Sequence, residues 1–215
     1  MKNSWYINLF FVAGIGLLFS CHKRQVQNVS QQQGYYEPIR SPIFEKDSIV
    51  FFKASIYTYG KSLSGILGIR KQDADTLKVS FFTEMGVKFF DVLITHDSYH
   101  LVNCISQLSS PVIMETLVED IRWVVLWNIT YLSQPVRLNS DDQDILVQYE
   151  YRNNWITGKL NFSGLPMKIT YSYGRKKIPK FDLLFEEYID NLPRKVIVRH
   201  HKFDLKIHLT YFIVQ

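Results

Sequence analysis

From residue 48 onward, apolar side chains fall at every second position along most of the chain, the period of a strand with one buried face. Residues 48–59 are rich in β-branched and aromatic side chains, and the turn Gly60-Lys61-Ser62 leads into 63–70, where Leu63, Gly65, Leu67 and Ile69 share a face. Residues 76–83 set Leu77, Val79 and Phe81 against Lys78 and Ser80. Two further runs, 87–95 and 99–105, follow turns at 84–86 and at His96-Asp97-Ser98. Connections this short cannot hold parallel crossovers, so the five strands predict an antiparallel meander.

The period then changes. Ser109 or Ser110 can cap a helix opening with Pro111, in which Met114, Leu117, Val118, Ile121, Val124 and Val125 recur every three or four residues. Glu115, Glu119 and Asp120 stand between them. Glu115 and Glu119 suit the positive end of a helix and read as solvent-facing charges rather than catalytic acids. The helix is expected to end near Asn128, before Ser133-Gln134-Pro135, and 136–144 reads as a polar loop with one short extended piece. Strands return at 145–151, 155–162, 167–173, 180–188, 195–200 and 203–214, making about eleven around one principal helix. Such a sheet is expected to curl until its apolar face encloses either a side-chain core or a cavity, with the helix over the open side.

The first 47 residues carry none of this alternation. Lys2 precedes an apolar segment from Trp5 to Phe19, which is shorter than the roughly 20 residues a membrane-spanning helix needs and is followed at once by His22, Lys23 and Arg24. It reads as a secretory address. Leu18-Phe19-Ser20-Cys21 resembles the end of a bacterial lipoprotein signal, with ordinary cleavage or a retained anchor as alternatives. The resemblance implies a signal peptide over 1–20 and acyl chains on Cys21, enough for stable membrane attachment. It also implies a place in the cell envelope, on the outer membrane facing the periplasm. Residues 21–46, with five glutamines, Pro38 and Pro42, read as a lipidated, flexible tether for a β domain over 47–215.

Composition narrows the chemistry. With 15 Phe, 13 Tyr and 4 Trp in 215 residues, a folded core is expected. With Cys21 lipidated, Cys104 stands alone in an apolar stretch and reads as a small buried hydrophobe, a reactive thiol being the alternative. Residues 151–215 hold 12 Lys and Arg against 5 Asp and Glu, whereas 1–150 hold 13 against 15, so basic character concentrates in the last third. Arg175, Lys176 and Lys177 form its candidate basic surface, either simply solvated or facing membrane headgroups or a periplasmic protein partner. An exported chain without a recognition helix or zinc module argues against nucleic acid. His96, Asp97 and His100 are the most tempting polar group, with His200, His201 and His208 later, but His200 and His201 tend to point to opposite faces of a strand and no metal site follows. No nucleophile elbow or phosphate-binding loop is present, so neither enzyme activity nor a cofactor is expected, and a hydrolase assembled from distant strands is the form an enzyme would take.

One resemblance spans roughly residues 45–214. Ser64-Gly65-Ile66-Leu67-Gly68-Ile69, Asp75-Thr76-Leu77-Lys78-Val79-Ser80, Met85-Gly86-Val87 and Phe90-Asp91-Val92-Leu93-Ile94-Thr95 are similar to the opening strands of LolA/LolB-like lipoprotein carriers, and more closely of the Bacteroidetes lipoproteins grouped as DUF4292. Leu192-Pro193-Arg194-Lys195-Val196-Ile197-Val198 with Leu205-Lys206-Ile207-His208-Leu209 resembles that group's final hairpin. The resemblance implies a mainly β fold: a strongly curved antiparallel sheet forming an incomplete barrel, covered by one or more helices, with a hydrophobic concavity for acyl chains or a lipoprotein. A non-catalytic structural or interaction module of the envelope is the alternative. Candidate lining residues are Val79, Phe81, Phe90, Val92, Met114, Leu117, Ile121 and Trp155, each of which also suits ordinary core packing.

Overall fold

Alternation and short turns produce twelve strands in the computed structural model, which describes residues 49–58, 60–130, 137–140, 144–151 and 153–212. The expected signal peptide, Cys21, the tether and the Ser133-Gln134-Pro135 break lie outside these residues. The first meander comprises β1 (Ile49–Thr58), β2 (Lys61–Lys71), β3 (Leu77–Phe82), β4 (Lys88–Ile94) and β5 (Tyr99–Cys104). Helix α1 (Pro111–Val124) and a single turn, α2 (Trp127–Thr130), follow. The second meander comprises β6 (Arg137–Ser140), β7 (Ile145–Tyr151), β8 (Asn154–Leu160), β9 (Pro166–Tyr173), β10 (Ile178–Ile189), β11 (Leu192–His200) and β12 (Leu205–Phe212). The extended piece expected within 136–144 is β6, which pairs with β7 and brings the number of strands to twelve.

The sheet order is β5-β4-β3-β2-β1-β12-β11-β10-β9-β8-β7-β6. Each meander pairs sequential neighbours, and the two join where β1 meets β12 in an antiparallel register from Phe51↔Phe212 to Thr58↔Leu205. The chain's first and last strands are therefore central, and the edges are β5 and β6. This corrects the expected strongly curved, incomplete barrel: among the described residues β5 pairs only with β4 and β6 only with β7, so the strand order is linear and the sheet is open. Period-two alternation reads the same in an open and a closed sheet. Closure depends on stagger and on pairing of the outermost strands, which no local pattern encodes.

One face of the sheet carries the core. Val50, Phe52, Ala54 and Ile56 of β1, Leu77, Val79 and Phe81 of β3, Phe181, Leu183 and Phe185 of β10 and Leu205, Ile207 and Leu209 of β12 are all buried in one cluster with α1. Helix α1 connects one sheet edge to the other and contributes Met114, Leu117, Val118, Ile121 and Val124 to that cluster. Ser110 holds the N-cap position without a side-chain cap, and Pro111 occupies the first turn. The helix ends four residues earlier than expected because Leu126 turns left-handed at φ 54°. The β10–β11 hairpin turns on Asp190 and Asn191, both at positive φ, so Leu192 and Pro193 belong to β11 rather than to the turn. Gly65 is required by crowding: a Cβ there would stand 2.3 Å from the carbonyl oxygen of Phe82.

Candidate functional site

The apolar stripe of α1 faces the middle of the sheet. Leu117, Ile121 and Val124, with Ala54 and Ile56 of β1, Leu67 of β2, Phe81 of β3, Phe90 of β4 and Ile207 and Leu209 of β12, line a cavity of about 20 Å³, room for about one water molecule. Asp120 is the polar member of this lining. Among the described residues this cavity is too small for an acyl chain, which can enter it only if α1 moves.

Polar contacts fix the helix in place. Asp120 is buried, as is His200 at the end of β11, and the imidazole Nε2 lies 3.0 and 2.9 Å from the two carboxylate oxygens. The tautomer with hydrogen on Nε2 donates this bond. Burial holds the Asp120 carboxyl above its ordinary value of 3.8, while His200 and Lys180 pull it the other way. The His200 ring stacks on Phe203 at 4.4 Å and lies 5.6 Å from Phe181; its buried Nδ1 has no partner among the described residues. Two residues on from Asp120, Arg122 donates from Nε (3.1 Å) and Nη2 (2.8 Å) to the Thr95 carbonyl and from Nη2 to the Ser98 carbonyl at 2.8 Å, gripping the β4–β5 turn. Glu119 accepts from Trp123 Nε1 at 2.8 Å and lies 3.4 Å from Arg122 Nη1. Of the two carboxylates expected in solvent, Glu115 is exposed while Glu119 is part of this network.

Seven of the eight candidate lining residues meet on the core face. Phe81, Phe90, Leu117 and Ile121 border the cavity, and Val79, Val92 and Met114 are packed into the cluster around it. Trp155 is elsewhere. In β8 the alternation buries Ile156 and Leu160 and puts Trp155 with Thr157 and Lys159 on the opposite face, where the Lys177 ammonium sits 4.0 Å from its ring centre. Arg175, Lys176 and Lys177 are exposed in the β9–β10 turn.

The Asp120–His200 pair was within reach of the sequence pattern. Asp120 lies three residues after Leu117 and four before Val124, on the buried stripe, and His200 continues the Val196, Val198 alternation onto the core face. Proximity across 80 residues is what no local pattern conveys. The other histidines disperse: His201 Nε2 contacts Asp182 Oδ2 at 3.2 Å on the opposite face, His96 Nδ1 contacts Asp97 Oδ1 at 3.0 Å, and His100 is exposed on β5. Among the described residues no group of three His, Cys, Asp or Glu side chains could hold a metal ion. Cys104 is half-buried, its thiol donates to the Ile105 carbonyl at 3.3 Å, and burial pushes its pKa up.

No family model matches the chain, and no curated protein matches it. Solved structures do. A LolA superfamily protein from Nitrosomonas europaea superposes with a TM-score of 0.53 at 12% identity, covering 81% of this chain and 87% of its own. A domain named for outer membrane lipoprotein sorting, from Vibrio parahaemolyticus, superposes with a TM-score of 0.50 at 10% identity, covering 79% of this chain and 85% of its own. At these identities the likeness is one of fold: an antiparallel sheet with a helix on its core face resembles the LolA-like arrangement.

Proposed function

We propose that this is a lipid-anchored envelope protein that takes up acyl chains, free or carried by a lipoprotein, between α1 and the core face of the sheet. The observation that carries this reading is the apolar cavity under α1, enclosed by a helix that side chains rather than a backbone ladder hold to the sheet. Lifting α1 exposes a contiguous apolar surface from Phe90 to Leu209. Each methylene that leaves water for such a surface gains about 0.8 kcal/mol. No bond is made or broken, so binding and release need only motion of the helix. The fold likeness to a LolA superfamily protein and to a lipoprotein-sorting domain supports a lipid-handling role, and the finer resemblance to DUF4292 lipoproteins belongs to the same reading.

The small size of the cavity under α1 favours a second reading, a non-catalytic interaction module whose helix never leaves the sheet. Lipid extraction and mass spectrometry of the purified protein, with uptake of a fluorescent fatty acid or lipopeptide, separates the two. A co-purifying lipid or saturable uptake is expected. Their joint absence leaves the interaction module.

A further inference from the structure

Three lysines at one end of the sheet rest on aromatic rings. Lys177 Nζ stands 4.0 Å from the Trp155 ring centre on the outer face, while Lys180 Nζ at 5.5 Å and Lys202 Nζ at 4.5 Å both approach the ring of Tyr173. The residues come from β8, the end of β9, the β9–β10 connection, the start of β10 and the β11–β12 corner, which antiparallel pairing brings to the same end: Asn154 opposes Tyr173, Tyr173 opposes Ile178, and Phe181 opposes His200. Arg175 and Lys176 are exposed in the same connection. None of these five cations takes part in an ion pair among the described residues, although Lys53, Lys88, Lys159, Lys168 and Lys195 elsewhere on the sheet each have a carboxylate partner. Negative charge close by comes from exposed Glu150 and Asp204, from Asp182, which is already bonded to Lys168 and His201, and from buried Asp120, on which Lys180 acts electrostatically.

Two ammonium groups drawn to one ring repel each other, and a phosphate between them would relieve that repulsion. Lys177 Nζ donates to Gln148 Oε1 at 3.0 Å, and an ammonium lying over a ring keeps its stem on the apolar surface and its remaining N–H donors outward. Ile178, half-exposed at the start of β10, places an apolar side chain beside the cations. Cations mixed with tyrosine, tryptophan and an exposed aliphatic side chain match the interface of a lipid bilayer, where rings and alkyl groups sit at headgroup depth, better than a purely polar acidic protein face. The geometry points to this end of the sheet, Lys177, Lys180 and Lys202 with Trp155, Tyr173 and Ile178, as a surface that binds the phosphate headgroups of anionic phospholipids.

This surface is independent of any acyl site under α1. The test is co-sedimentation of the full chain carrying Cys21→Ser, so that no acyl anchor contributes, with vesicles of phosphatidylcholine alone and of phosphatidylcholine mixed with phosphatidylglycerol. Each cation at an anionic membrane surface strengthens binding about fivefold at low salt, so Lys180→Gln/Lys202→Gln is expected to weaken partition onto the mixed vesicles about 25-fold. Partition onto phosphatidylcholine is expected to stay unchanged. Arg175→Gln/Lys176→Gln/Lys177→Gln, confined to exposed turn positions, is expected to weaken it at least as much, and added salt to erase the difference. Arg70→Gln/Lys78→Gln, exposed cations on β2 and β3, is expected to bind like the parent chain. Parent-like binding by both test variants, or an equal loss in the Arg70/Lys78 variant, overturns the assignment and leaves an acidic protein as the partner of this surface. Uptake of a fluorescent fatty acid in vesicle-free solution is expected to be unaffected by Lys180→Gln/Lys202→Gln, which keeps failure here distinct from failure of the acyl site.

Discussion

Asp120 and His200 concentrate the residue-scale energetics, because each is the other's means of satisfying a buried polar group. Removing one partner strands the other, so His200→Ala is expected to cost about 3–5 kcal/mol in urea denaturation; a loss under 1 kcal/mol would mean that water reaches Asp120. Asp182 behaves differently. Burial opposes its ionisation, but the Thr170 hydroxyl at 2.6 Å, Lys168 at 3.0 Å and His201 at 3.2 Å outweigh it and hold the carboxyl below its ordinary 3.8. On acidification the unfolded chain takes up this proton first, so the stabilisation is complete above pH 3.8 and is lost as pH falls through the depressed folded value. Asp182→Asn is therefore expected to destabilise by about 1.5–3 kcal/mol at neutral pH, with the gap from the parent narrowing below pH 3.8; a gap constant with pH contradicts the assignment. At Gly65 the Phe82 carbonyl leaves no room for a methyl group, and Gly65→Ala is expected to cost about 1–3 kcal/mol by calorimetry.

At the scale of elements, the proposed uptake of acyl chains depends on α1. Its apolar stripe stabilises the closed arrangement, and Arg122, which caps the Thr95 and Ser98 carbonyls, ties the helix to the β4–β5 turn. Arg122→Gln removes that tie without touching the cavity lining. Stopped-flow mixing with a fluorescent fatty acid is expected to show faster uptake with little change in final binding, whereas unchanged rates would place the moving part elsewhere. The helix and nearly all the strands were legible from period alone. Trp155, expected among the lining residues, lies with Thr157 and Lys159 on the outer face, because the pleat of a strand fixes the direction of each side chain whatever its bulk.

For the whole molecule, the central consequence of topology is that β1 and β12 pair in the middle of the sheet, so that the β5-to-β6 connection must pass from edge to edge and delivers α1 to the core face. Attachment of this domain to a membrane is a separate matter: Cys21→Ser is expected to move the protein from the membrane to the soluble fraction of fractionated cells, and unchanged retention would refute lipidation at that residue. The period of most strands, the helix and its buried stripe, and the concentration of positive charge in the last third are all readable along the chain, because each depends on neighbours within a few residues. The open sheet, the meeting of Asp120 with His200, the small cavity under α1 and the gathering of lysines from separate segments on Tyr173 and Trp155 came from the tertiary structure. Those outcomes rest on register and on contacts between residues far apart in the chain, which alternation repeats without distinguishing.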